Sequence, residues 1–128
     1  MQQICFAFLF LMALAIGVVP ADASEPAKSQ QEINHLLAYV KSTNCQYERN
    51  GKRHSGKEAV KHIQRKYRYF ADEIKTAEDF IRLCATKSTM SGKYYKVHCV
   101  TGKAIKNEIK SVDWLSEELL RYRDLEDK

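Results

Sequence analysis

The chain has 128 residues, 29% of them charged and 45% hydrophobic, with a formal net charge of +5. Such a length supports one hydrophobic core and not two, and no internal repeat or low-complexity segment divides it. The basic balance favours anionic partners such as lipid headgroups, polyanionic glycans or nucleic acid, although a charge of this size is more often a solvated surface that keeps a small protein soluble.

Met1 to Gly17 is almost wholly apolar after Gln2 and Gln3, and it leads into Val18-Val19-Pro20-Ala21-Asp22-Ala23. An apolar stretch followed by small residues at A-x-A positions reads as a signal peptide over residues 1–23, cut after Ala23. An uncleaved anchor and a buried core helix are the alternatives. The run from Ile4 to Val19 is shorter than the roughly 20 residues that span a bilayer, so cleavage is preferred and no transmembrane segment is expected afterwards. The leader carries one acid and no base, which leaves 21 basic against 15 acidic residues and a net charge of +6 in 24–128. The expected organisation is therefore a leader and one mature domain, periplasmic or secreted.

Ser24 to Gln30 is polar and reads as a frayed terminus. Ile33, Leu36, Leu37 and Val40 then recur at helical spacing, which predicts a helix from about Gln30 to Lys41. The segment Cys45 to His54 alternates around a central Asn50-Gly51, the strongest short-range hairpin signal. Ala59, Val60, Ile63, Tyr67 and Phe70 mark the apolar face of a second helix over Lys57 to Phe70, whose other face carries Lys61, Arg65, Lys66 and Arg68. Thr76-Ala77-Glu78-Asp79 resembles a capping box and opens a third helix that ends near Ala85.

Thr86 to Lys93 is polar and is expected to be a loop. Tyr94 to Val100, rich in aromatic and β-branched residues, predicts a strand with Tyr95, Val97 and Cys99 on one face, closed by Thr101-Gly102. After a further polar stretch, Ser111 is the expected cap of a last helix in which Val112, Leu115, Leu119 and Tyr122 share a stripe beside Trp114. The resulting fold class is α+β, a small antiparallel sheet of one hairpin plus one strand packed against about four helices. The predicted core comprises Leu36, Leu37, Val40, Ile63, Tyr67, Phe80, Ile81, Val97, Leu115 and Leu119.

Three cysteines lie beyond the leader. Cys84 falls at helical spacing with Ala77, Phe80 and Ile81 and reads as a small buried hydrophobe. Cys45 and Cys99 sit in strand-like segments, and an exported location permits them to form a disulfide.

The four histidines, His35, His54, His62 and His98, form no i, i+4 pair with another His or Cys, so no metal site is expected and no cofactor is implied. There is no nucleophile elbow, P-loop or dinucleotide fingerprint. His62 shares a helix face with Lys66 and Tyr69 and could act as a general base toward Ser88, Thr89 or Ser91. In the structural alternative it fixes its helix against the sheet, and the serines satisfy local backbone groups. Tyr67 and Tyr69 interleave with the bases of the second helix, a nucleic-acid pattern, but Tyr67 belongs to the apolar stripe and a nucleic-acid partner is disfavoured.

The motifs Cys45-x-Tyr47-x-Arg49-Asn50-Gly51, Ala59-x-x-His62-x-x-x-Lys66-Tyr67, Thr76-Ala77-Glu78-Asp79-Phe80-Ile81, Ser88-x-x-Ser91-Gly92-x-x-Tyr95-x-Val97 and Trp114-Leu115 resemble, in this order, the YfeK-like family of small exported proteins of Gram-negative bacteria. The resemblance implies an exported single-domain protein of no assigned activity and supplies no catalytic residue. The chain departs from the family pattern at Cys84, where a small residue is usual, and at Lys93-Tyr94, where a Pro often precedes the Tyr. Among the matching positions, Arg49, Asn50, His62, Ser88, Ser91 and Tyr95 are polar and are expected to converge beside the sheet as a ligand site. The expected function is a non-enzymatic envelope protein binding an anionic ligand or an envelope partner. The competing expectation is a small hydrolase or transferase using His62 with a loop serine.

Overall fold

In the computed structural model Pro26 lies in the first turn of α1 (Glu25–Ser42), with Glu25 beside the positive end of the helix dipole. The structure describes Gly17 and residues 24–101 and 104–128. Apart from Gly17, the leader expected over 1–23 lies outside the described residues. The segment expected to fray is thus the first turn of a longer helix: proline pre-sets the backbone angle there and loses no hydrogen bond by lacking an N–H. The helix ends where Thr43 turns extended.

Strands β1 (Gln46–Arg49) and β2 (Lys52–His54) pair antiparallel, with Arg49 opposite Lys52. Asn50 and Gly51 between them both hold positive φ, 51° and 78°, as a two-residue hairpin turn requires. Helix α2 (Gly56–Tyr69) is capped by Ser55, whose Oγ accepts from the Glu58 backbone N–H at 3.2 Å. Gly56 is there for space: a Cβ would stand 2.2 Å from the Val40 carbonyl oxygen, where the end of α1 crosses the start of α2. One 3-10 turn, Ala71–Glu73, leads to α3 (Ala77–Cys84). The capping box forms as the sequence suggests, with Asp79 N–H donating to Thr76 Oγ1 and Thr76 N–H to Asp79 Oδ2.

Strand β3 (Lys96–Thr101) pairs with β1, and with β4 (Ala104–Lys110) on its other edge, giving the order β2-β1-β3-β4. The sheet thus has one strand more than the hairpin plus single strand expected. Ala-Ile-Lys-Asn-Glu-Ile-Lys is poor in strand-forming residues, and its pairing with β3 decides its conformation. A second correction concerns α4 (Ser111–Glu126), whose N-cap position is Lys110. Ser111 lies inside the first turn, fully buried, with its Oγ 2.9 Å from the Tyr47 hydroxyl.

All four helices lie on one side. Helix α1 packs against α2, α3 and α4, while α2 meets β1 and β2, and α4 meets β3 and β4. Of the predicted core residues, Leu37 and Tyr67 are only partly buried and the rest are buried. The largest fully buried side chains, Tyr47 and Tyr95, are absent from that expectation. Cys45 and Cys99 are bonded, and Cys84 is a free, buried thiol. In the chain-entropy account a disulfide spanning 54 positions stabilises the fold by about 4 kcal/mol.

Two buried carboxylates hold the helices together. Glu118 accepts from both Arg121 Nε and Nη2 and lies 2.6 Å from His35 Nε2. Glu32 takes the Arg123 guanidinium in a bidentate pair at 2.7 and 2.9 Å, and Arg123 reaches Glu78 as well. These pairs hold the carboxyls of Glu78 and Glu118 below the usual carboxylate range, through the Arg123 and Arg121 hydrogen bonds respectively.

Phe80 is 1% exposed and meets the Tyr67 ring edge-on at 5.4 Å. Phe80→Ala is expected to cost about 3–5 kcal/mol in a urea titration, enough to unfold most of a marginal domain. A loss below about 1 kcal/mol would place the ring outside the core.

Candidate functional site

Strand β1 ends with Arg49, and α2 carries His62 and Lys66 one turn apart on the side that faces the sheet. Tyr95 precedes β3. These four side chains form one chain of polar contacts. Arg49 Nη1 lies 3.1 Å from His62 Nδ1, and His62 Nε2 lies 3.0 Å from the Tyr95 hydroxyl. Lys66 Nζ donates to the same hydroxyl at 3.4 Å and to the Lys87 carbonyl at 2.8 Å.

The donor inventory fixes the tautomer. A guanidinium can only donate, so His62 Nδ1 accepts, and Nε2 carries the ring's hydrogen and donates to Tyr95. The phenol oxygen therefore receives two donors, from an imidazole and an ammonium. Burial, followed by the positive charges of Arg49 and Lys66, pushes the His62 pKa down to about 4. Burial also lowers that of Lys66 and raises that of Tyr95. The imidazole is thus neutral and, without adding a third charge, it joins Arg49 to the Tyr95 hydroxyl that Lys66 also reaches.

Asn50, Ser88 and Ser91 form an adjoining set. Asn50 Nδ2 donates to Ser88 Oγ at 3.4 Å, and Ser91 Oγ donates to Asn50 Oδ1 at 2.5 Å. The hairpin turn is thereby tied to the 86–93 loop, which an isolated bridge between Lys87 and Tyr94 closes at its base. The structure places the six expected residues in these two sets, Arg49, His62 and Tyr95 in one and Asn50, Ser88 and Ser91 in the other. Tyr69 does not join them, being 81% exposed. Lys66 joins the cluster one helical turn after His62, and that spacing together with its position on the His62 face is the sequence signal for it.

The cluster is rich in donors and poor in acids. Among the described residues Arg49 forms no ion pair; Glu78, which could have matched it, is taken by Arg123, and Asp79 by the α3 cap and Arg82. Neither serine hydroxyl contacts His62. Ser88 Oγ accepts from Asn50 and the Ser91 backbone, while both imidazole nitrogens are engaged by Arg49 and Tyr95. A cleft of about 570 Å³ between α1 and the end of α2 contains none of these side chains. A smaller one of about 280 Å³ is lined by Lys66, Arg82, Lys87, Ser88 and Thr89.

A helical layer on one face of a four-stranded antiparallel sheet, clipped by one disulfide, defines the class as α+β. Residues 27–123 match the model of a family of unknown function, DUF5329, and the chain belongs to that family. It is similar to the uncharacterized protein YfeK of Salmonella typhimurium, with 36% identity over 78 residues. That match covers 60% of this chain and 65% of the Salmonella protein, just under two thirds of its length. No solved structure matches the chain.

A neutral His62 has a definite pH consequence. Its folded pKa lies below the unfolded value near 6.5, so the unfolded chain binds the extra proton first as pH falls. The stability it contributes is complete above about 6.5 and is lost as pH falls toward about 4. NMR titration of the His62 ring is expected to find a midpoint of about 4. His62→Gln is expected to flatten the stability profile across that window; a wild-type midpoint above about 6 would show that the Arg49 contact is not made.

Proposed function

We propose that this domain is an exported, non-catalytic binding protein whose ligand is an anion held at the Arg49–His62–Lys66–Tyr95 cluster. The observation that carries the reading is the company Arg49 keeps. A guanidinium with five donors spends one on a neutral imidazole and meets no carboxylate. The other half-buried arginine among the described residues, Arg123, is matched by Glu32 and Glu78. An arginine left available beside a lysine is the arrangement that takes a carboxylate, sulfate or phosphate group in a forked contact. The occupied ring nitrogens of His62 favour binding over acid–base chemistry with a loop serine.

Thermal-shift measurements with sulfate and phosphate, against chloride at matched ionic strength, test this. The wild type is expected to gain several degrees with the divalent anions, and Arg49→Ala to lose that gain while melting within a few degrees of the wild type. If no anion stabilises the wild type and both Arg49→Ala and His62→Ala melt several degrees lower, the cluster is a scaffold and not a binding site.

Export is supported by the leader-like first 23 residues and by the Cys45–Cys99 bond, which oxidising compartments maintain. No helix among the described residues is long and apolar enough to cross a membrane. Mass mapping without reduction, on protein recovered from an envelope fraction, is expected to find an N-terminus at Ser24, a linked Cys45–Cys99 peptide and Cys84 as a free thiol. An N-terminus at Met1 or a Cys84 disulfide would contradict the reading.

A further inference from the structure

The tether between hairpin and loop separates two cationic clefts. On one side lie Lys66, Arg82 and Lys87, in the cleft of about 280 Å³, none of whose lining residues is acidic. On the other, a cleft of about 380 Å³ is lined by Lys93, Tyr94, Lys96 and Lys110 together with Glu48, Asn50 and Gly51. Asn50 belongs to the second cleft and Ser88 to the first, and the two bond to each other, so the clefts meet at that hydrogen bond.

From this arrangement we infer that the ligand is not a small ion but an acidic polysaccharide lying across the tether, with acid groups in both clefts; the inference rests on the anion-binding reading above. Three features select this chemistry. Arg82 is paired with Asp79 and Lys96 with Glu108, which leaves Lys66 and Lys87 on one side of the ridge and Lys93 and Lys110 on the other outside any ion pair among the described residues. Such cations suit repeated negative charges, and linked contacts reinforce one another through effective concentration. Tyr94 is 47% exposed and lies under Lys110 Nζ, 4.6 Å from the ring centroid, so it offers a flat apolar face next to a cation, the pairing that a charged sugar ring fits. The ridge itself exposes Asn50, Thr89 and Ser91, whose amide and hydroxyl groups match sugar hydroxyls, while the buried Ser88 holds it from beneath. Single-stranded nucleic acid instead needs successive aromatic platforms. Across the two clefts Tyr94 is the open ring, Phe70 being packed against the core.

Calorimetric titration with a dimer, a tetramer and an octamer of galacturonic acid at physiological ionic strength tests the inference, with sulfate run in parallel. The octamer is expected to bind roughly tenfold tighter than the dimer. Tyr94→Ala is expected to abolish most of that gain while leaving the sulfate response intact, whereas Arg49→Ala weakens both. Lys93→Gln, an exposed change that leaves the core alone, is expected to lower octamer affinity by roughly threefold. Affinity independent of length, with the sulfate response preserved, would overturn the extended ligand and leave the anion site standing. Loss of every response would overturn both. An oligodeoxyadenylate of equal charge binding as tightly as the octamer would show that charge alone is read, and would overturn recognition of a sugar chain.

Discussion

The antiparallel pairing of β1 with β3 sets Tyr47 opposite Val97 and brings the rings of Tyr47 and Tyr95 to 5.6 Å in the middle of the core. Both tyrosines are 1% exposed, so each hydroxyl has to find a partner inside the protein. They find different ones. Tyr47 reaches Ser111 and fixes where α4 begins; Tyr95 reaches His62 and Lys66 and fixes α2. Two phenols side by side thus position a helix each. The Cys45–Cys99 bond clips β3 to the residue just before β1, next to both rings. Burial raises the hydroxyl pKa of both, so both stay neutral, as hydrogen-bonding anchors in a core must.

Charge is distributed unevenly around this frame. On the helical side the buried acids Glu32 and Glu118 meet arginines, and the exposed edge of that network is closed by Glu78 and by stacking of Tyr122 on His35 at 4.1 Å. Removing one member would leave a buried charge uncompensated, which costs far more than the pair contributes when intact. At the Arg49–His62–Lys66 cluster the opposite holds, since among the described residues neither Arg49 nor Lys66 forms an ion pair and the imidazole beside them is neutral. Charge is therefore matched within the helical network and left unmatched at this one cluster. Unmatched cations in a partly buried site carry a positive local potential.

The elements that carried a local signal were legible in the sequence: Asn50-Gly51 for the hairpin, Thr76 and Asp79 for the α3 cap, and the helical spacing of Leu36, Val40, Phe80 and Ile81. What was not legible depended on tertiary pairing. Strand β4 has Ile105 and Ile109 four apart among polar residues, a spacing equally suited to a helix turn, and only its partner β3 makes it a strand. Ser111 carries the residue type of a cap, but Tyr47, 64 positions away, claims its hydroxyl. The Glu118–His35 contact joins residues 83 apart and leaves no pattern along the chain. For the candidate site the residue identities could be read and their order of contact could not, because that order depends on how far α2 is rotated against the sheet.

That rotation also sets which contacts the His62 ring makes. A histidine serving a loop serine would need a free ring nitrogen aimed at it, and the serines would need to be free of the hairpin. Here the loop serines spend their hydroxyls on Asn50, which stiffens the ridge, and the imidazole spends both nitrogens on holding Arg49 and Tyr95 apart. A protonated imidazole would have to give up the Arg49 contact, because both its nitrogens would then be donors. Neutrality is therefore the condition under which Arg49 is held in place, and the burial that lowers the histidine's basicity keeps the guanidinium oriented. A cation oriented by one uncharged acceptor keeps its remaining donors free to turn with little rearrangement, which is the use of preorganisation in binding.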